Sequence, residues 1–197
     1  MRCCKRLLEA LLALLLAGWL TAAGAAEIEV RDPQLSFADD GQILLDADFS
    51  FDFNARLEEA VGKGLALYFV AEFELSRPRW YWIDDKVVKT SRTWRLTYHA
   101  LTRQYRLSTG GLSQSFTNLD GALRMLSHLR NWPVFERDQL KAGDAFDAAL
   151  RLRLDLSQLP KPFQIEALSN KDWILASDWK RWVFTVPAQP VAGSEAK

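Results

Sequence analysis

The fold is decided by residues 42–53, which read QILLDADFSFDF. Apolar side chains occupy every second position from Ile43 to Phe53, and Asp46, Asp48 and Asp52 lie between them. Because successive side chains of a β-strand point to opposite faces, this alternation predicts a half-buried antiparallel strand. Residues 65–75, LALYFVAEFEL, repeat the pattern and predict a second strand of the same kind.

A short helix is predicted between these two strands. Asn54 offers an N-cap side chain, acidic residues follow in the first turn, and Gly64 supplies a C-terminal stop. The chain therefore crosses from one strand to the next through a helix rather than a tight hairpin.

The middle of the chain, from Arg77 to Thr109, reads as successive strands. Turns are predicted at residues 84–86, 102–103 and 108–111, and residues 112–116, LSQSF, form another short strand. Helical spacing of leucines begins at Leu119, so a second helix is predicted there. It is capped by residue 117 or 118 and ends before Pro133.

Strands also dominate the last third of the sequence. Residues 144–156 alternate strongly, and three shorter closing strands are predicted: FQIEAL at 163–168, WILAS at 173–177 and RWVFTV at 181–186. The whole pattern predicts a mostly β fold, an antiparallel β-sandwich or curled sheet of about eight or nine strands with two helices. Residues 27–186 form a single domain, and residues 187–197 form a disordered tail.

Tryptophans are the most distinctive side chains of this sequence. Trp80, Trp82 and Trp94 share the apolar positions of their strands, so we expect them in the core. In the segment 172–182, DWILASDWKRW, the alternation of a single strand does not hold. A bulge or bend near residues 177–178 would turn Trp182 inward beside Trp173 and leave Trp179 as the one to examine for exposure.

The first 26 residues have the layout of a secretory signal peptide. Arg2, Lys5 and Arg6 precede a short apolar core, and the small residues of TAAGAA follow it. The alternative is an uncleaved anchor formed by residues 7–23, which is slightly short for a membrane span. We expect an exported, periplasmic protein.

The charge balance and the cysteine content argue against several classes of function. Removing the signal peptide leaves 22 basic and 24 acidic residues, a balance that argues against a nucleic-acid binder. Cys3 and Cys4 lie before the apolar core and leave with the signal peptide. The mature chain then has neither a disulfide nor a thiolate nucleophile.

Basic residues concentrate between positions 77 and 106, which carry eight bases and two acids, whereas residues 27–76 carry three bases and twelve acids. Either acidic and basic strands pair across a sheet, or the bases form a patch for an anionic ligand. The candidate patch consists of Arg77, Arg79, Tyr81, Arg92, Arg95, Arg103, Arg106 and Trp179.

No catalytic motif or metal-binding spacing is recognisable in the sequence. His99, at a polar strand position, and His128, placed in the second helix, have no neighbouring ligand at suitable spacing. The three aspartates of residues 46–52 lie on a straight strand, which cannot wrap around calcium. A glycosidase-like carboxylate pair stays open, because sequence spacing does not fix distances in space. We predict no catalytic residue, metal or cofactor.

Three segments carry a resemblance to a known family: residues 76–88, SRPRWYWIDDKVV, residues 94–116, WRLTYHALTRQYRLSTGGLSQSF, and residues 154–182 around KPFQIEALSNKDW. The chain resembles the proteobacterial exported proteins grouped as domain of unknown function 4390, over nearly all of the predicted mature chain. The resemblance implies a signal peptide or N-terminal anchor and no assigned activity, cofactor or catalytic residue. It also implies a genetic association with an envelope sensor kinase, and it carries over no site residue.

Three function hypotheses follow. The first is a non-enzymatic module that binds another envelope protein, such as the outer part of a sensor kinase. The second is a binding module for peptidoglycan or another anionic glycan, which would use the candidate patch. The third is an enzyme with converging carboxylates, or with His99 beside a carboxylate.

Overall fold

The computed structural model describes residues 28–77 and 85–187. The predicted signal peptide, the alternative anchor at 7–23 and most of the predicted tail lie outside these residues. Trp80 and Trp82, which we expected in the core, lie outside them as well. Within the described ranges, no helix has the length and apolar character needed to cross a membrane.

The described residues form nine β-strands and three α-helices, so the prediction of a mostly β fold is confirmed. In chain order the elements are β1 (Ile28–Phe37), β2 (Gln42–Phe51), α1 (Ala55–Gly62), β3 (Leu67–Arg77), β4 (Asp85–His99), β5 (Gln104–Thr109), β6 (Leu112–Phe116), α2 (Leu119–Leu126), β7 (His128–Glu136), β8 (Ala145–Leu154), α3 (Lys161–Ser169) and β9 (Lys180–Thr185).

Two antiparallel sheets build the fold. The small sheet has the order β1-β2-β7, and the large sheet has the order β6-β5-β4-β3-β8-β9. β3 lies in the middle of the large sheet and pairs with β4 on one side and β8 on the other. The large sheet therefore has an inner face, which meets the small sheet and the helices, and an outer face of polar side chains.

Aromatic side chains join the two sheets. Phe73 of β3 stacks on Phe135 of β7 with ring centroids 6.2 Å apart, and Phe135 meets Phe184 of β9 edge to face. Phe69 contacts Phe51 of β2 in the same way. Burying a side chain of this size contributes roughly 1.5–3 kcal/mol, so these contacts between sheets fix the sandwich.

Helix α1 forms where the sequence predicts it. The Asn54 side chain accepts a hydrogen bond from the Leu57 amide at 3.0 Å, which is the expected N-cap. Leu57 and Val61 are fully buried and hold the helix against the inner face. The helix thus covers the end of the large sheet near β4.

Two of the predicted closing strands are wrong. Residues 163–168 lie in helix α3, which has Pro162 in its first turn, where a missing amide proton costs nothing. Residues 173–177 follow a short 3-10 helix and make only an isolated bridge between Ala176 and Arg153. In the helix Phe163 and Ala167, four residues apart, face the core, whereas Ile165 between them is exposed. Over only six residues, an alternating run contains such an i, i+4 pair, so the strand pattern was misleading.

Helix α2 is capped by Asn118 but ends at Leu126, earlier than the leucine spacing suggests. The chain then enters β7, and His128 is the first residue of that strand rather than part of the helix. Asn131 has a φ of 49° and donates its amide to the Asp46 carboxylate at 2.6 Å. Residues 128–130 therefore belong to a strand that pairs with β2, although the leucine spacing of the helix continues through them.

The bulge predicted near residues 177–178 is confirmed. Lys180 pairs with Leu150, and Ala176 pairs with Arg153. Between these two pairs the segment leading into β9 therefore has one residue more than β8, which is a bulge. The buried Ser177 hydroxyl accepts the Leu152 amide at 2.9 Å and fixes the irregularity. Trp173 is 1% exposed, and Trp182 packs partly buried against the core.

The turn at 102–103 is confirmed, and the one predicted at 108–111 is confirmed for 110–111 only, since residues 108 and 109 belong to β5. The turn expected at 84–86 is wrong for its described residues. Asp85 and Lys86 belong to β4 and pair with Arg77 and Ser76 of β3. β4 is therefore 15 residues long, whereas β5, its neighbour on the other side, has six residues.

Candidate binding edge and groove

The two halves of β4 have different surroundings. Residues 94–99 pair with β5, but β5 turns back into β6 at Gly110 and Gly111, so pairing on that side stops at Trp94. The preceding residues pair only with β3 among the residues that the structure describes. We call residues 89–93 of β4, seen from the side that β5 does not reach, the open edge.

Strand alternation decides which backbone groups face the open edge. Thr109 and Leu112 flank a two-residue turn and bond to each other, so the preceding residue of β5 bonds to Arg95 of β4. The backbone groups of Thr93 and Ser91 point the same way as those of Arg95. In agreement, the Thr109 hydroxyl donates to the Thr93 carbonyl at 3.0 Å. The amides of Ser91 and Thr93 have no acceptor among the described residues.

A groove of about 540 Å³ lies beside the open edge. Its walls come from β4, from the turn between β5 and β6, and from β7. The lining residues are Ser91, Arg92, Thr93, Thr109, Gly110, Gly111, Leu112 and Trp132. We call this the Arg92 groove. No acidic side chain belongs to its lining.

Arg92 differs in orientation from its neighbours in β4, because its side chain points to the inner face. Its guanidinium carbon lies 5.4 Å from the ring centroid of Trp132, which is 4% exposed. A cation over a tryptophan face is stabilised by the ring quadrupole. Trp132 therefore fixes the guanidinium at the wall of the groove.

The charge of Arg92 has no counter-ion in the described parts of the chain. No carboxylate or hydrogen-bond acceptor pairs with it, and half-burial alone lowers the pKa of this guanidinium from its ordinary value. An arginine nevertheless stays protonated at neutral pH. A partly desolvated cation without a partner is unfavourable, which makes it a suitable site for an anionic group.

A second charged cluster, on the outer face, is fully partnered. Glu72 of β3 accepts hydrogen bonds from Arg151 and Arg153 of β8, and Arg153 also bonds Asp155 at 3.3 Å. We call these four residues the Glu72 cluster. Burial opposes ionisation of Glu72, but the two arginines outweigh it and lower the pKa of the carboxyl. Trp179 covers the cluster, with its ring centroid 4.4 Å from the Arg151 guanidinium carbon.

The residues of the candidate patch are divided among several places. Arg95 and Arg106 both lie on the outer face, and Arg95 stacks over the Tyr68 ring at 5.9 Å. Trp179 lies on the same face but is half-buried over Arg151. Arg92 is on the inner face.

The remaining patch residues are separate from these. Arg77, at the end of β3, pairs with Asp144 at 3.2 Å and stacks over Phe146. Arg103 lies exposed in the turn between β4 and β5 with a φ of 53°. Arg79 and Tyr81 lie outside the described residues. Whether any of them binds a ligand stays a prediction.

The two histidines and the aspartates of β2 also have defined surroundings. His99 is exposed at the end of β4. His128 Nδ1 lies 2.7 Å from the Arg124 carbonyl, and Asp48 pairs with Arg130 at 2.6 Å. Within residues 28–77 and 85–187, no three His, Cys, Asp or Glu side chains are grouped closely enough to hold a metal ion.

Sequence reasoning named Arg92 but missed the rest of its site. Trp132 is 40 positions away along the chain, and no local pattern connects it with β4. The open edge itself had a signal. The predicted turns at 102–103 and 108–111 already limit β5 to the four residues 104–107, so a long strand before it must extend beyond its neighbour.

Comparison with known proteins adds a family but no function. A family model described as a domain of unknown function (DUF4390) matches residues 25–183. No curated protein matches the chain, and no solved structure matches it either.

Proposed function

The chain belongs to the DUF4390 family, and from its open edge we propose that it is an exported, non-enzymatic protein-interaction module of the cell envelope. In this proposal a segment of the partner adds to the large sheet as a new strand along residues 89–93. Strand addition of this kind gives affinity through backbone hydrogen bonds and specificity through side-chain pockets.

The observation that carries the proposal is the backbone of the open edge, which no described strand pairs and where the Thr93 carbonyl bonds only a side chain, the Thr109 hydroxyl. Ser91 and Thr93 are exposed, and their amides have no acceptor among the described residues. Five residues of a strand span about 17 Å, enough for an extended segment to make several backbone bonds. An exposed row of such groups is a template for pairing with another chain.

The outer edges of β1, β9 and β6 are less suitable for strand addition. β1 is interrupted at Asp32, where φ is 45°, and by the following proline, and its register with β2 shifts there. β9 begins with Lys180 and Arg181, and charges of this kind discourage pairing. β6 offers an uncharged edge of only five residues, of which Leu112 alone lines the Arg92 groove. β6 is therefore the natural control for the open edge.

Export and the identity of the partner are supported from the sequence. The first 26 residues have the layout of a signal peptide, which would place the domain in the periplasm. The resemblance to the family associates its members with an envelope sensor kinase. The outer part of that kinase is therefore the partner that we propose to test first. The absence of a recognisable catalytic motif in the sequence favours binding over catalysis.

Proline substitution tests the open edge. Ser91→Pro removes one outward amide and leaves the bonds between β4 and β3 intact, because a proline is tolerated where its nitrogen faces solvent. Ser113→Pro makes the same change on the outward side of β6. Tagged full-length chains carrying each change are purified from solubilised membranes of cells with and without the kinase, and the bound proteins are quantified.

We expect the wild-type chain and Ser113→Pro to retain the kinase, and Ser91→Pro to lose at least about ninety per cent of it, as the loss of a central bonding position predicts. Equal retention by both proline variants would overturn the open edge as the docking site. Failure of the wild-type chain to enrich any envelope protein would overturn the interaction module itself.

A second candidate function has its own observation. Arg95 stacks over Tyr68 beside Arg106, so the outer face combines cations with an aromatic ring, as surfaces for anionic glycans do. A pull-down on purified sacculi tests this candidate. Retention that the double change Arg95→Gln and Arg106→Gln abolishes would favour it, whereas protein that stays in the supernatant would end it.

A further inference from the structure

The position of Arg92 determines which side chain of an added strand it would meet. Its backbone bonds toward β3, so opposite a strand at the open edge Arg92 takes a non-hydrogen-bonded position. Side chains at such positions lie about 4.5–5.5 Å apart at Cβ and share one face of the sheet. The residue of the partner opposite Arg92 therefore projects into the Arg92 groove.

The chemistry of the groove selects the charge of that residue. Arg92 is half-buried and has no counter-ion among the described residues, and none of the groove's lining residues is acidic. A carboxylate would supply the missing charge and could accept two parallel hydrogen bonds from the guanidinium. Lysine or arginine at that position would be repelled.

We infer that the segment added to the open edge carries an aspartate or glutamate opposite Arg92, and that Arg92 with Trp132 forms the pocket that selects it. This inference rests on the proposed function. It adds that the partner segment is negatively charged opposite Arg92, and that Arg92 and Trp132 recognise this charge.

A synthetic pair of peptides tests the pocket directly. One is a ten-residue strand-forming peptide with a single central aspartate, and the other carries asparagine at that position. Each is titrated into the isotope-labelled chain, and amide chemical shifts and hydrogen exchange are followed by NMR. The full chain without its signal segment is used, because that is the form which we expect after export.

The aspartate peptide is expected to protect the Ser91 and Thr93 amides and to bind on the order of ten- to a hundredfold more tightly than its asparagine twin, which is the range for a charge-assisted bond. In Arg92→Met the two peptides bind equally. In Arg181→Met, which removes an exposed cation from β9 at the other end of the large sheet, the preference for aspartate stays.

The outcomes separate this inference from the function on which it rests. Equal binding of both peptides, with Ser91 and Thr93 protected, overturns the carboxylate pocket and leaves strand addition standing. Protection of neither amide by either peptide overturns both. Binding of an oligogalacturonate at Arg92, with no response to the peptides, would assign the groove to an acidic glycan and overturn the peptide ligand.

Discussion

Two of the three arginine–tryptophan pairs among the described residues have opposite electrostatic surroundings. Arg151 lies over Trp179 and bonds Glu72, whereas Arg92 lies over Trp132 with no carboxylate beside it in the described residues. The first pair belongs to a neutralised cluster on the outer face, and the second forms the wall of a groove. An arginine stacked on a tryptophan therefore does not by itself indicate a binding site. The informative feature is the missing counter-ion.

Trp132 is expected to contribute far more to stability than Trp179. Trp132→Ala removes a side chain that is 4% exposed and leaves a cavity between the sheets, which costs about 3–5 kcal/mol. Trp179→Ala, the matched change in the half-buried partner of Arg151, costs about 1 kcal/mol or less. Urea unfolding followed by circular dichroism measures both, and equal losses would contradict the different roles of the two rings.

Removing the acid of the neutralised cluster comes next. Glu72→Gln leaves Arg151 and Arg153 without their shared carboxylate and is expected to cost about 1–2 kcal/mol, discounted because both arginines are about one third exposed. The folded pKa of Glu72 lies below its unfolded value. Its contribution is therefore complete above the unfolded pKa, about 4.3, and is lost as pH falls through the folded pKa.

The pH dependence provides the control for that change. The free energies of unfolding of the wild-type chain and Glu72→Gln should differ most near neutral pH and converge as the solution is acidified below about pH 4. A difference that stays constant down to pH 2 would show that the cost comes from packing rather than from the charge.

A comparable effect is expected at the bulge that positions Trp179. Ser177→Ala removes the hydroxyl that accepts the buried Leu152 amide, and one lost buried hydrogen bond costs about 1–2 kcal/mol. Ser36→Ala, at an exposed position of β1, is the control and should change stability by less than about 0.5 kcal/mol. The difference in fluorescence between each chain and its Trp179→Phe variant reports Trp179. This difference should shift in Ser177→Ala and not in Ser36→Ala, and no shift in Ser177→Ala would mean that the bulge does not position Trp179.

The smallest expected effect is at the unpartnered arginine. Arg92→Met breaks no ion pair in the described structure and keeps an unbranched stem over Trp132, so the free energy of unfolding should change by no more than about 0.5 kcal/mol. Thermal and urea unfolding measure it beside Glu72→Gln. A loss as large as that of Glu72→Gln would mean that Arg92 supports the fold rather than serving a ligand.

Strand alternation predicted most of the fold because each sheet has one buried face. The pattern of residues 42–53 sufficed for β2, and the break in alternation at residues 177–178 located a bulge correctly. Prediction failed for α3, because a short alternating run also contains an i, i+4 pair, here Phe163 and Ala167, which the helix turns toward the core. It failed again for β7, where leucine spacing continued past the end of α2 although pairing with β2 was stronger.

The candidate site was only partly accessible to sequence reasoning. Arg92 was named, but together with arginines that the sheet places on the opposite face or beside their own acids. The open edge depends on how far two neighbouring strands extend, and Trp132 reaches Arg92 only through the packing of one sheet on the other. Such relations between distant residues leave no periodic signal in a single sequence.

Site-specific photo-crosslinking in living cells tests whether a partner protein adds a strand at the open edge. A benzophenone amino acid is placed at Ser91 on the open edge or at Ser113 on β6, and the crosslinked products are identified by mass spectrometry. We expect one predominant envelope protein captured from position 91, joined through an extended segment that contains an acidic residue, and no such product from position 113. Identical products from both positions, or none from position 91, would rule out strand addition at the open edge.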